Sequence, residues 1–77
     1  MPTIIVINGL KLCIYGDDHA PPHFHILGPD GHFQVDLRSF SILEGGRLPQ
    51  HYRAVMDWAR EHQHDLLAKW SDLNERG

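Results

Sequence analysis

The segment His23–Leu37, HFHILGPDGHFQVDL, decides the fold because it predicts a β-hairpin with two unlike faces. Gly-Pro-Asp-Gly at residues 28–31 is a turn sequence, and a loop there places His23 opposite Asp36 and His25 opposite Gln34. Side chains alternate between the two faces of a strand. One face is therefore apolar and consists of Phe24, Ile26, Phe33, Val35 and Leu37. The other face is polar and consists of His23, His25, His32, Gln34 and Asp36.

An earlier segment predicts a first hairpin. Residues 3–7 (TIIVI) and 10–15 (LKLCIY) flank an Asn-Gly pair, which is the strongest two-residue hairpin signal because both turn residues need positive φ. Pairing across this turn matches Ile7 with Leu10, Ile5 with Leu12 and Thr3 with Ile14. Ile4 and Val6 fall on the opposite face, where their exposure would favour a homodimer or another partner.

The rest of the chain predicts a short strand and then helix. A fifth strand is expected around Phe40–Leu43, before Glu-Gly-Gly breaks the pattern. Pro49 suits the first turn of a helix, and the sequence predicts either one long helix or two collinear helices broken near residues 62–64. The helical stripe runs through Tyr52, Val55, Met56, Ala59, His62, Leu66, Leu67, Trp70 and Leu73.

The predicted fold class is α+β. An antiparallel meander of four or five strands is packed on one face by a long C-terminal helix. One domain is expected over residues 1–77, with the strands in 1–45 and the helix in 49–75.

Composition limits the classes of function. Cys13 is the sole cysteine, so an internal disulfide is excluded and a reducing compartment is indicated. Neither a signal peptide nor an apolar run of about 20 residues is recognisable, and we expect a cytoplasmic protein without a membrane association. The formal net charge of −3 provides no general positive field for nucleic acid.

The run DDHAPPHFH, residues 17–25, concentrates titratable side chains beside the polar face. His23 and His25 are expected about 7 Å apart on that face, pointing away from the core toward solvent or an interface. Asp36 faces His23 across the ladder and could fix the tautomer of its imidazole. His19 and Asp18 arrive from the preceding loop.

Three interpretations of this run remain open. His19, His23 and His25 could bind a divalent metal such as Zn²⁺ or Mn²⁺, with Asp36 supporting a ligand. His23 and His25 could instead act as base and acid on a phosphodiester, with Asp36 and Asp18 completing a catalytic site. In the third interpretation the histidines carry no chemistry, and the open face of the sheet is merely polar or binds a partner protein.

Several segments resemble a bacterial family known as domain of unknown function 4160. The resemblance is carried by the opening Met1–Ile4, Gly9, the run DHAPPHFH at Asp18–His25, Trp58, and DLLAKW at Asp65–Trp70. It implies a small cytoplasmic protein, often encoded beside another small protein in pairs that resemble toxin–antitoxin modules. A protein partner and an RNA target are therefore implied.

The favoured function is the toxin-like component of a two-protein module. If the protein is an enzyme, the expected reaction is cleavage of RNA phosphodiester bonds through its histidine-rich site. The alternatives are a non-catalytic protein-binding module and a small metal-dependent hydrolase.

Overall fold

The computed structural model of the chain describes residues 3–16 and 19–74. Five antiparallel strands form one sheet in the order β1-β2-β3-β4-β5, which confirms the predicted α+β meander. The strands are β1 (Thr3–Ile7), β2 (Leu10–Cys13), β3 (His23–Gly28), β4 (Gly31–Asp36) and β5 (Ile42–Glu44). A single 3-10 turn (Gln50–Tyr52) leads into α1 (Arg53–Glu61) and α2 (Gln63–Asn74).

The β1–β2 hairpin turns at the Asn-Gly pair as predicted, with φ of 52° at Asn8 and 78° at Gly9. Its register differs from the prediction at one end, because Thr3 pairs with Cys13 and the ladder shifts there. The shift turns Ile4 toward the core, so the expectation that Ile4 lies on the open face was wrong. Val6 remains on the open face and is 54% exposed.

The β3–β4 hairpin has the predicted register. His23 pairs with Asp36 and His25 pairs with Gln34. The ladder continues one pair beyond the prediction, to Gly28 and Gly31, so only two residues form the loop. The two faces of this hairpin are therefore the ones that the alternation indicates.

The fifth strand begins later than predicted. Phe40 adopts a φ of 60° and its amide donates to the carbonyl of Asp36, which places it in the turn rather than in a strand. Along β5, Glu44 pairs with Gln34 and Ile42 with Val35, so Leu43 is an extra residue in the ladder. Such a bulge redirects side chains at a sheet edge.

The helices pack on the apolar face and form one core with it. The fully or nearly buried members are Leu10, Leu12, Ile14, Phe24, Ile26, Phe33, Val35, Leu37, Tyr52, Val55, Met56, Ala59, Leu66 and Trp70. The helical segment breaks at His62, and the break lies where the sequence predicts one, near residues 62–64. In the described part of the chain, no helix is long and apolar enough to span a bilayer.

Side-chain amides attach α2 to the ends of two strands. Gln63 donates to the carbonyl of Leu37 at 2.8 Å, and Asn74 donates to the carbonyl of Tyr15 at 3.0 Å. The helix is therefore held at the end of the sheet from which the 19–22 loop enters β3.

Among the described residues, two polar side-chain atoms are buried in the core without a hydrogen bond. The Tyr52 hydroxyl and the Trp70 indole nitrogen have no hydrogen-bond partner within residues 3–16 and 19–74. Tyr52 packs so closely against Gly28 that a Cβ there would lie 2.6 Å from its hydroxyl oxygen. Gly28 is thus required for close packing.

Candidate functional site

The polar face of the sheet is built from neighbouring residues of three strands. Cys13 on β2, His25 on β3 and Gln34 on β4 lie in one row across the ladder. This face is opposite the helix-packed face, as the alternation predicts. The histidines of β3 therefore belong to the side of the sheet that the helices do not cover.

The predicted exposure of these histidines was wrong. His23 and His25 are each only 6% exposed. The ring of Tyr15 lies edge-on to that of His25 with centroids 4.6 Å apart, and the ring of His32 lies 5.0 Å away on the other side. Two aromatic neighbours, Tyr15 just after β2 and His32 on β4, thus contribute to the burial of this imidazole.

His25 forms a direct hydrogen bond to another histidine. Its Nδ1 lies 2.7 Å from Nε2 of His32. One of these nitrogens must donate a hydrogen and the other must present a lone pair, since two lone pairs would repel. Sequence reasoning placed His32 on this face and overlooked it as a partner, although the register makes it diagonal to His25.

His23 is oriented by the backbone. Its Nδ1 lies 2.8 Å from the carbonyl oxygen of Pro21. A carbonyl can only accept, so Nδ1 carries the hydrogen and, in the neutral ring, Nε2 carries the lone pair. Nε2 is therefore the atom of His23 that can accept a proton or coordinate a cation.

Asp36 lies opposite His23 in the ladder, as predicted, and its carboxylate caps the turn after β4. Oδ1 accepts the amide hydrogens of Arg38 at 2.7 Å and Ser39 at 3.0 Å. The hydrogen bond from the Ser39 amide is the largest cause that lowers the pKa of Asp36, and the Arg38 amide and guanidinium add to it. The backbone carbonyl of Pro21 thus performs the orienting role that the sequence assigned to Asp36.

A groove of about 420 Å³ opens beside His23. It lies between the loop that enters β3 and the strands β4 and β5, and is lined by His19, Ala20, Pro21, His23, Gln34, Leu43 and Glu44. Of the predicted site residues in the described part of the chain, His19 and His23 line this groove, whereas His25 and Asp36 do not. Asp18 falls outside the described residues.

The opposite wall of the groove was missed by sequence reasoning. The amide nitrogen of Gln34 donates to Glu44 Oε2 at 3.1 Å, which joins β4 to β5 on the polar face. Glu44 reaches this position because Leu43 is the extra residue of the ladder. Without knowledge of that bulge, the Glu-Gly-Gly segment indicates only a chain break.

The three predicted metal ligands do not all line the groove, although the ring centroids of His23 and His25 lie only 5.0 Å apart. His19 and His23 line the groove, while His25 is bonded to His32. Within residues 3–16 and 19–74, no group of three or more His, Cys, Asp or Glu side chains has an arrangement suited to a metal ion.

The sequence profile of the family described as domain of unknown function (DUF4160) matches residues 9–71. The chain belongs to this family. Comparison with curated proteins and with solved structures gives no match. The described residues that line the groove all lie within the matched DUF4160 segment, so this lining comes from the part of the chain that the family shares.

Proposed function

We propose that this DUF4160 protein is the toxin-like component of a two-protein bacterial module, and that its groove cleaves RNA by metal-free acid–base catalysis. The observation that supports cleavage is the hydrogen bond from His23 Nδ1 to the Pro21 carbonyl. It gives the groove an imidazole of fixed tautomer. The toxin-like role rests on the gene pairs that the family resemblance implies.

The proposed reaction is an intramolecular transesterification of an RNA phosphodiester. Nε2 of His23 removes the proton of a ribose 2′-hydroxyl, and the oxygen attacks the adjacent phosphorus. The bond to the departing 5′-oxygen breaks, and protonated His19, which lines the same groove, supplies the proton to that oxygen. The products are a 2′,3′-cyclic phosphate and a free 5′-hydroxyl, and each proton transfer contributes about 10²- to 10⁴-fold.

The charge of the chain constrains the kind of RNA binding. Non-specific affinity for RNA comes mainly from Lys and Arg on phosphates, and this chain has a net charge of −3. Glu44 adds a carboxylate to the groove itself. We therefore expect weak binding to duplex RNA and selection of unpaired nucleotides through their bases.

A metal-dependent hydrolase is the second candidate. It is favoured by the presence of His19 and His23 in one groove, since Nε2 of His23 is also the nitrogen that would bind Zn²⁺ or Mn²⁺. A non-catalytic module would use the same groove to dock the protein encoded beside it. The first experiment separates the three functions.

The test is cleavage of a short single-stranded RNA by tag-free protein, with and without EDTA. The informative variant is His23→Asn, because an asparagine amide can replace Nδ1 as donor to the Pro21 carbonyl but supplies no base. His64→Ala is the matched control, since His64 is an exposed histidine on α2.

Cleavage that survives EDTA, disappears in His23→Asn and persists in His64→Ala would support the proposal. Loss of cleavage with EDTA would favour the metal-dependent hydrolase. A folded protein that cleaves nothing would overturn catalysis, and a tight complex with the neighbouring gene product would then favour the binding module.

A further inference from the structure

The wall of the groove formed by β4 and β5 presents hydrogen-bond acceptors. The carboxylate of Glu44 can only accept, so the amide nitrogen of Gln34 must face it, at the observed 3.1 Å. The amide oxygen of Gln34 is then directed away from that contact and is a further acceptor. Gln34 keeps one further N–H hydrogen, but the Glu44 carboxylate itself can only accept, and its two oxygens suit a ligand that offers two adjacent donors.

Among the four RNA bases, guanine alone offers two adjacent donors on its Watson–Crick edge, N1–H and the N2 amino group. Adenine and cytosine each place an acceptor beside their amino group, and uracil places an acceptor on each side of its N3–H. Two carboxylate oxygens match two adjacent donors and would face a lone pair on each of the other bases.

We infer that the groove binds a guanine base, with the Glu44 carboxylate reading N1–H and N2–H and with Gln34 holding that carboxylate in place. The inference rests on the proposed function for the identity of the nucleotide: it is the one whose 2′-hydroxyl is attacked.

The groove is also large enough for a nucleotide to enter. Its volume of about 420 Å³ falls within the range of pockets that hold small ligands, about 300–1,000 Å³. Ala20, Pro21 and Leu43 supply apolar surface against which a planar base can pack. Leu43 is 44% exposed at this edge of the sheet.

The base and the reacting hydroxyl are placed on different strands. Glu44 lies on β5 and His23 on β3, separated by β4 and so by roughly 10 Å of sheet. Both side chains line the one groove, so a single nucleotide can place its base edge at Glu44 and its ribose at His23.

The first test compares cleavage of GpA and ApA dinucleotides. The wild-type protein is expected to favour GpA in kcat/KM by about tenfold to a hundredfold, the value of one bidentate base contact. In Glu44→Gln, one acceptor becomes a donor, and the two dinucleotides are expected to have about the same kcat/KM. Glu61→Gln removes an exposed carboxylate on α1, outside the groove lining, and should keep the wild-type preference.

A second readout does not depend on turnover. Binding of 3′-GMP and 3′-AMP is followed by chemical-shift changes of the Glu44 and Gln34 side chains in the wild-type protein and in His23→Asn. We expect these chemical-shift changes with 3′-GMP only, in both proteins, and in Glu44→Gln the Gln34 side chain should no longer respond to 3′-GMP.

The two readouts distinguish failure of the inference from failure of the proposed function. Cleavage without a preference for GpA would overturn guanine recognition and leave catalysis standing. Selective binding of 3′-GMP without cleavage would support the guanine site and overturn catalysis. Equal binding of both nucleotides, or binding of neither, would overturn the guanine site.

Discussion

The two faces of the sheet bury their residues by different means. On the helix-packed face, Phe24 and Ile26 are fully buried against apolar side chains of the helices. On the polar face, His23 and His25 are almost as well buried, through a backbone carbonyl and neighbouring rings. Apolar packing stabilises the helix-packed face, whereas directed hydrogen bonds fix the positions of side chains on the polar face. Substitutions on the two faces should therefore differ in size, in additivity and in their dependence on pH.

The largest effect is expected on the packed face, from Phe24→Ala. Phe24 is fully buried in the core cluster between the sheet and the helices, and its removal leaves a cavity that costs about 3–5 kcal/mol. A domain of this size has roughly 4–12 kcal/mol of stability, so the substitution should remove a large part of the free energy of unfolding. Urea denaturation measures the loss, and a loss below about 1 kcal/mol would show that the face is not a packed core.

On the polar face, we expect a smaller and non-additive effect from the His25–His32 pair. His25→Ala should cost about 1–3 kcal/mol because it leaves the other ring without its hydrogen bond. In a double-mutant cycle with His32→Ala, the coupling free energy should be about 1 kcal/mol. A coupling near zero would show that the 2.7 Å contact contributes nothing. His64→Ala, at an exposed histidine on α2, is the control and should have little effect.

A pH-dependent effect is expected at Asp36. Its pKa is lowered from the usual 3.8, so folding favours the ionised carboxylate. The stabilisation is therefore complete well above pH 3.8 and is lost as the pH falls through the lowered pKa. Asp36→Asn retains an oxygen acceptor for the Arg38 and Ser39 amides but not the charge.

The measurement for Asp36 is the thermal midpoint of both proteins from about pH 6 down to about pH 3. The wild-type midpoint should fall more steeply than that of Asp36→Asn as the pH decreases. Parallel curves for the two proteins would contradict the role of the carboxylate in the turn.

The smallest effect, with the opposite sign, is expected from Tyr52→Phe on the packed face. The buried hydroxyl of Tyr52 has no hydrogen-bond partner among residues 3–16 and 19–74, so its removal relieves a desolvation cost. The free energy of unfolding should stay the same or rise by up to about 1 kcal/mol. A decrease in the free energy of unfolding by more than about 1 kcal/mol would show that the hydroxyl has a hydrogen-bond partner.

The fold was largely predictable because its signals are local. An Asn-Gly turn and a Gly-Pro-Asp-Gly turn each set a hairpin register, and alternation along His23–Leu37 then assigns the faces. The position of β5 was not predictable, since it depends on one extra residue, Leu43, in the ladder. Glu44 reaches the groove only through that bulge.

The site was predictable only in part. The strand register correctly placed Asp36 opposite His23. Register alone does not determine which of the nearby donors and acceptors each side chain bonds to. Asp36 accepts hydrogen bonds from amides of its own turn, which are closer in sequence. The imidazole of His23 instead donates to the carbonyl of Pro21 in the preceding loop. Burial of His25 likewise depends on ring contacts with Tyr15 that no single-strand pattern contains.

The Pro21 carbonyl fixes the tautomer of His23 and so makes Nε2 the nitrogen that can act as the proposed base. Long-range ¹H–¹⁵N correlation spectra of the ¹⁵N-labelled protein, assigned with His23→Asn, report which ring nitrogen carries the hydrogen. We expect the neutral His23 ring to carry its hydrogen on Nδ1, within the 2.8 Å contact to Pro21. A neutral His23 ring protonated on Nε2 would show that the Pro21 carbonyl does not fix the tautomer, and Nε2 could then not act as the base.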